Sequence, residues 1–285
     1  MLVPQNAVGA YFRMTSTYKL TTIEQVVEVA TTLSGSWFRG HARVYGELTP
    51  KIFRKQYEDV RKWRPDIEHS LIEAFKRGAP ALQQNIPNQE DHLAWLFIMQ
   101  HHGAPTRLLD WTKSALIALF FVVSKHASDE GELWAMYPIN LNDRSGFHGV
   151  PLPNHPILTY FTLEPRYDPP KLIGKLGLSQ IPTNPLAVEP PMNFPRMVTQ
   201  LSRFTIHPMP MQGNSIAELL PDEKHLVRYI IPANSKEKLQ RNLAALGITH
   251  GTLFPDLDSL AKDIIYEHQV VAYNPPVPPR CDGPV

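Results

Sequence analysis

Apolar positions along this chain recur at two spacings, and the switches between them mark out the elements. Ile23, Val26, Val27, Ala30 and Leu33 form one stripe of a helix predicted over 21–35, opened by a Thr21/Glu24 capping box and ended by Gly35. Ile67, Leu71 and Phe75 repeat the helical spacing up to Gly78, and Leu93, Trp95, Leu96, Phe97, Ile98 and Met99 make 89–100 a largely buried helix. The nearly unbroken apolar run from Ala115 to Val123 predicts a core helix from about Lys113, capped by Asp110 or Thr112. Aromatic and branched residues predict short strands at 36–42, 132–137 and 226–231, and a strand or bent strand pair over 196–207. A helix over 236–246 ends at Gly247, and a last one carries Leu260, Ala261, Ile264 and Ile265 behind a cap at Asp256 or Asp258.

Twelve prolines over 138–195 interrupt this pattern, so regular structure is expected to be scarce there. Such an excursion suits a substrate lid or an elaborated surface loop equally well. The Pro-rich 274–285 reads as a loose tail.

Polar residues collect between the two most hydrophobic helices. His101, His102, Thr106, Arg107, Asp110 and Trp111 crowd around Gly103 and Pro105, which break helices and predict an irregular connection. One reading is a site held rigidly by core helices; the other is a local Arg107–Asp110 brace with Trp111 packed against it. The strand at 36–42 delivers Arg39 to the rim of a sheet, with Gly40 allowing close approach to the backbone. A guanidinium there needs an anionic partner, either Asp110 or a ligand's phosphate or ribose. Residues 41–65 interleave Arg43, Lys51, Arg54, Lys55, Arg61, Lys62 and Arg64 with Tyr45, Phe53, Tyr57 and Trp63, which fits a single-stranded nucleic acid or a solvated helical face.

Charge narrows the field of partners. Lys and Arg total 28 against 27 Asp and Glu, and the net charge of +1 gives no general attraction to nucleic acid or an anionic membrane. The longest apolar run falls short of the ~20 residues of a membrane helix. The opening Met1 to Ala10 has no basic region followed by an apolar stretch, and Cys281 is the single cysteine, so no secretory signal is expected and the cytoplasm is favoured. No metal is expected: a cysteine-based zinc site is excluded, and adjacent His101 and His102 would point about 100° apart on a helix.

Several stretches together resemble the FRG domain family. Phe38-Arg39-Gly40 matches the name motif, and the run from His102 to Thr112, with Pro105-Thr106-Arg107-Leu108-Leu109-Asp110-Trp111 at its centre, matches the second. Arg196, Gln200, Phe204 and Thr205 resemble the third, with Ser202 where family members often carry Gly, and 253–257 resembles a C-terminal motif. The resemblance implies one domain over 1–273, with the Pro-rich insertion at about 138–195, and a bacterial or phage setting. The family has been grouped with the ADP-ribosyltransferase-like fold, which implies an α+β architecture with a split mixed sheet flanked by helices around a cleft for NAD.

On that implication the protein is an NAD-consuming toxin or phage-defence effector. NAD would be the cosubstrate, a nucleic acid or protein the acceptor, and an antitoxin the neutralising partner. Arg39, Asp110 and Gln200 would be catalytic, and Phe38, Gly40, His102, Thr106, Arg107 and Trp111 would bind the cofactor. Gln200 cannot act as a base, so either Asp110 or Glu132 supplies the carboxylate or NAD chemistry has been lost. The alternative is a non-catalytic nucleotide- or nucleic-acid-binding module in which Arg39, Arg107 and Asp110 form a structural ion network, and a weaker one is a nucleotide-binding hydrolase.

Overall fold

Alternating side chains set the two faces of a central sheet, and its seam sets the position of everything described below. The computed structural model describes residues 18–64, 66–83, 86–162, 183–209, 215–266 and 268. Strands β1 (Tyr18–Lys19), β2 (Trp37–His41), β3 (Leu108–Thr112), β4 (Gly131–Met136), β5 (Leu186–Val188), β6 (Ser202–Ile206) and β7 (Leu226–Ile231) form one mixed sheet in the order β1-β7-β4-β2-β3-β6-β5. Only the β1–β7 pair is parallel. β2 runs in register with β4 over five residues and β3 with β6 over five, yet β2 and β3 share only Phe38↔Thr112. The sheet is continuous, not split, but its two halves are joined by one register pair.

Each half carries its own helices. Helix Ala115–Val123 packs with Phe38, Leu133, Ala135 and Ile231 beneath β2, β4 and β7. Helix His92–His101 packs with Leu108, Phe204 and Ile206 beneath β3 and β6. Trp37, Leu109, Trp111, Trp134 and Met136 fill the opposite face across both halves. In helix Ala115–Val123 six side chains, Ala115, Ala118, Leu119, Phe120, Val122 and Val123, are 3% exposed or less, and Leu119→Ala would cost about 2–5 kcal/mol. This helix crosses β2 so closely that a Cβ on Gly40 would lie 1.9 Å from the Ala118 carbonyl oxygen. What approaches the backbone at Gly40 is therefore a core helix.

Several expectations change in detail. The first helix spans Ile23–Thr32, and its capping box is Thr22 with Gln25, one residue later than read, because the Gln25 side chain reaches back to the Thr22 backbone N–H. Residues 108–112 pair as a strand, so the cap of the core helix falls to Ser114, whose Oγ accepts from the Ile117 N–H. Three of the prolines over 138–195 begin elements instead of interrupting them: Pro138, Pro156 and Pro195 each open a helix, where a missing N–H costs nothing. The same region supplies β5, a fully buried edge strand. Residues 196–199 belong to helix Pro195–Thr199, and only Ser202 onward is strand. Residues 163–182 of the insertion, the tail 274–285 and Cys281 lie outside the described residues.

Candidate functional site

At the seam of β2 and β3 lies a cleft of about 230 Å³. Phe38, Arg39 and Gly40 of β2 face Asp110, Trp111 and Thr112 of β3 across it. The last turn of helix His92–His101 adds Gln100, the core helix adds Phe121, helix Pro195–Thr199 adds Arg196, the turn after it Gln200, and the start of β6 Ser202. That turn is pinned to the end of β3: Thr112 Oγ1 donates to the Gln200 carbonyl at 2.7 Å, and Lys113 N–H donates to the Leu201 carbonyl at 3.2 Å. Leu201 itself adopts φ 47°, so the left-handed residue of this turn stands one place before Ser202.

Arg39 and Asp110 form a long ion pair, not a bidentate fork. The Arg39 Nη1 donates to the Asp110 main-chain carbonyl at 2.5 Å, while the Asp110 carboxylate stays 3.8 Å away. The Asp110 side chain is 55% exposed. One carboxylate oxygen, Oδ2, accepts from Gln100 Nε2 at 2.6 Å, and Gln100 Oε1 in turn accepts from Thr106 Oγ1 at 2.5 Å. Oδ1 has no hydrogen bond among the described residues.

Behind the cleft, Arg39 Nε donates to His41 Nε2 at 2.8 Å, and His41 Nδ1 lies 2.7 Å from Glu132 Oε1. Nε2 accepts, so the proton sits on Nδ1 and the imidazole is neutral. Burial, with the Arg39 charge behind it, lowers the His41 pKa to about 4, against the pull of Glu132. Burial likewise lowers Arg39 to about 10, opposed chiefly by Asp110, and the guanidinium remains charged at neutral pH. Glu132 is fully buried, and burial would raise its pKa; His41 and the Tyr45 N–H outweigh this and hold it below the usual range.

A second guanidinium reaches the cleft from Arg196, which stacks 4.4 Å over the Phe254 ring and donates to the His101 carbonyl at 3.4 Å. Among the described residues it makes no ion pair, and burial lowers its pKa with Asp110 opposing. Two guanidiniums and one carboxylate leave the wall with an excess positive charge. A cleft so charged, with an aromatic side, suits an anionic ligand bearing a ring.

The sequence-derived residues separate into three groups. Arg39, Asp110 and Gln200 meet at the cleft, as do Phe38, Gly40 and Trp111. Trp111 is 3% exposed and donates from Nε1 to Thr205 Oγ1 at 3.3 Å, so it supplies an edge, and the half-buried Phe121 offers the wider aromatic surface. Gln200 donates from Nε2 to the Leu253 carbonyl at 3.0 Å, which ties the turn to the C-terminal motif. Thr106 is buried and acts through Gln100. His102 is exposed at the end of its helix and does not line the cleft.

Arg107 departs from both readings made of it. It neither lines the cleft nor braces Asp110; it clamps buried Glu68, with its N–H on Oε1 at 2.7 Å and its Nε on Oε2, and donates from Nη1 to the Phe161 carbonyl at 2.6 Å. Glu132, the other candidate carboxylate, is consumed by His41, the Tyr45 N–H at 3.1 Å and the Gly46 N–H at 3.3 Å. Asp110 is thus the carboxylate of the cleft. Gln100 was the member the sequence left without a role, although it is the polar residue that ends the apolar run 93–99.

These features define an α+β protein with a polar, cationic cleft at the seam of a mixed sheet. Residues 34–131 match the FRG domain model, and the chain carries an FRG domain. The matched span holds β2, β3 and both principal helices, and with them Arg39, Gln100 and Asp110. Comparison with curated proteins and with solved structures gave no match. Among the described residues no three His, Cys, Asp or Glu side chains gather as a metal ligand set, and no helix is long and apolar enough to cross a membrane.

Proposed function

We propose that the cleft binds NAD and breaks its nicotinamide–ribose bond, making the protein an ADP-ribosyltransferase-like toxin or phage-defence effector that modifies a nucleic acid or protein. The observation that carries the reading is a half-exposed Asp110 carboxylate, 3.8 Å from the Arg39 guanidinium, in a cleft that Arg196 also lines. Arg39 and Arg196 would hold the pyrophosphate, each presenting N–H groups in a fork suited to phosphate oxygens. Phe121 would stand beside the nicotinamide ring.

In this chemistry the C1′–N bond breaks, nicotinamide leaves with the bonding pair, and positive charge develops on the ribose as an oxocarbenium ion. The Asp110 carboxylate, oriented by Gln100, would stabilise that charge. An acceptor nucleophile then bonds to C1′ and releases its proton, to Asp110 or to solvent, since the Gln200 amide cannot take it. A binding-only module built on mutual neutralisation of Arg39 and Asp110 fits less well, because their charged groups stand 3.8 Å apart with the carboxylate half exposed.

Two variants separate binding from chemistry. By titration calorimetry Arg39→Ala should lose NAD affinity, whereas Asp110→Asn should keep it. Equal NAD binding by the wild type and Arg39→Ala, or none by the wild type, would remove the reading.

A further inference from the structure

The hydrogen bonds behind the cleft form an unbroken chain, Glu132–His41–Arg39, whose first two members do not line the cleft. We infer that Glu132 and His41 are positioning residues: their buried pair grips Arg39 by its Nε, so that the guanidinium meets a ligand with its terminal nitrogens and keeps its fork off the Asp110 carboxylate. The inference rests on the ligand-binding reading of the cleft for its purpose, but its geometry is testable without any ligand.

Three features carry it. First, the bond to Nε settles which edge of the guanidinium is spent. Nε goes to His41 and one Nη1 proton to the Asp110 carbonyl, and the remaining three of the five N–H groups have no partner among the described residues. An arginine placed only to neutralise Asp110 would turn its fork to the carboxylate; this one is held off at 3.8 Å.

Second, the tautomer is fixed from behind. A neutral imidazole can accept at Nε2 only if its proton sits on Nδ1, and the Glu132 carboxylate at 2.7 Å is the acceptor that keeps it there. Glu132 is itself anchored by the Tyr45 and Gly46 N–H groups and by Arg228 at 3.8 Å, so the whole chain is rooted in β4 and β7. Third, the residues stand at matched positions across one ladder, His41 opposite Glu132 and Arg39 opposite Trp134, with His41 and Arg39 two apart on one face of β2. The strand pairing itself builds the relay. Ionisable groups facing His41 are Arg39, Glu132 and Tyr45, whose ring packs edge-on at 5.4 Å, with Arg54 acting at longer range.

The test reads His41 and Arg39 by nitrogen NMR in the full chain, with Arg39→Lys assigning the arginine signal. In the wild type at neutral pH, His41 should be protonated on Nδ1 alone, and the Arg39 Nε–H should exchange with water far more slowly than exposed arginines. Glu132→Gln should mix the His41 tautomers, speed that exchange, and weaken inorganic pyrophosphate binding by roughly tenfold while the protein stays folded by circular dichroism. His41→Gln, which offers an amide oxygen to Nε, should retain more pyrophosphate affinity than His41→Leu. An Nε2-protonated His41, or an Arg39 Nε–H exchanging as freely as exposed arginines, overturns the inference. A protein with the slow Nε–H and the Nδ1 tautomer that releases no nicotinamide from NAD would keep the relay and lose the proposed reaction.

Discussion

Arg107→Ala should destabilise the protein strongly and leave the cleft's ligand affinity untouched in the folded fraction. Its guanidinium is 13% exposed and its partner Glu68 2%, so the change strands a buried carboxylate and removes the donor to the Phe161 carbonyl. Breaking a buried pair from one side costs about 3–5 kcal/mol, because the surviving charge keeps its desolvation penalty without its partner. For a chain of this length that corresponds to a fall in melting temperature on the order of 10 °C. Urea unfolding followed by circular dichroism gives the free energy directly. The double variant Arg107→Met with Glu68→Met should recover most of the loss, since replacing both charges by apolar groups leaves nothing stranded. If Arg107→Ala kept the wild-type urea midpoint but lost NAD or pyrophosphate binding, Arg107 would be a ligand residue and the assignment made here would be wrong.

Gly40→Ala should disrupt the packing of the core helix on β2, because its Cβ would sit 1.9 Å from the Ala118 carbonyl oxygen and 3.0 Å from Val122; a loss of at least about 3 kcal/mol in urea unfolding is expected, and a neutral effect would refute the close approach. Acid should weaken the fold before the carboxylates titrate. The pKa of His41 falls from 6.5 to about 4 and that of His207 from 6.5 to about 3, each chiefly through burial, so the unfolded chain takes up protons first as pH drops. Stability should be complete above pH 6.5 and decline as pH falls towards 4, with His41 alone accounting for about 3 kcal/mol by pH 4; a flat urea midpoint over that window would contradict the buried neutral imidazoles. Gln100→Ala should cost only about 1 kcal/mol of stability, yet lower nicotinamide release by freeing the Asp110 carboxylate to rotate; unchanged release would show that Gln100 does not orient it.

The elements with strong periodicity were readable from the chain; of the residues whose convergence would mark a site, Arg39, Asp110 and Gln200 meet at the cleft and His102 and Arg107 do not. The stripe of 23–33, the apolar run of 115–123 and the aromatic strand around Arg39 all fold as their patterns require, because one face or both must be buried. Pairings across long sequence separations were not readable. Nothing local tells Arg107 to choose Glu68, 39 residues earlier, over Asp110, three residues later; the choice follows from β3 pointing Asp110 to the seam while the N–H of Arg107 meets helix Ile67–Gly78. Gly40 was marked as a point of close approach, but only the packed sheet shows that a helix carbonyl, and not a ligand, takes the space. The prolines misled because their effect depends on position: at the first residue of a helix they are favoured, and a proline count cannot distinguish that from a break. The bond from Arg39 to a main-chain carbonyl is likewise invisible in a sequence, where the charge pair with Asp110 is the natural guess.

Nicotinamide release from labelled NAD, followed with the purified wild type and with Asp110→Asn, tests the reading of the cleft most directly. Release by the wild type that disappears in a folded, NAD-binding Asp110→Asn is the predicted result, and label appearing on nucleic acid or protein in a lysate would name the acceptor. No release by the wild type with or without lysate, or release undiminished in Asp110→Asn, would contradict it.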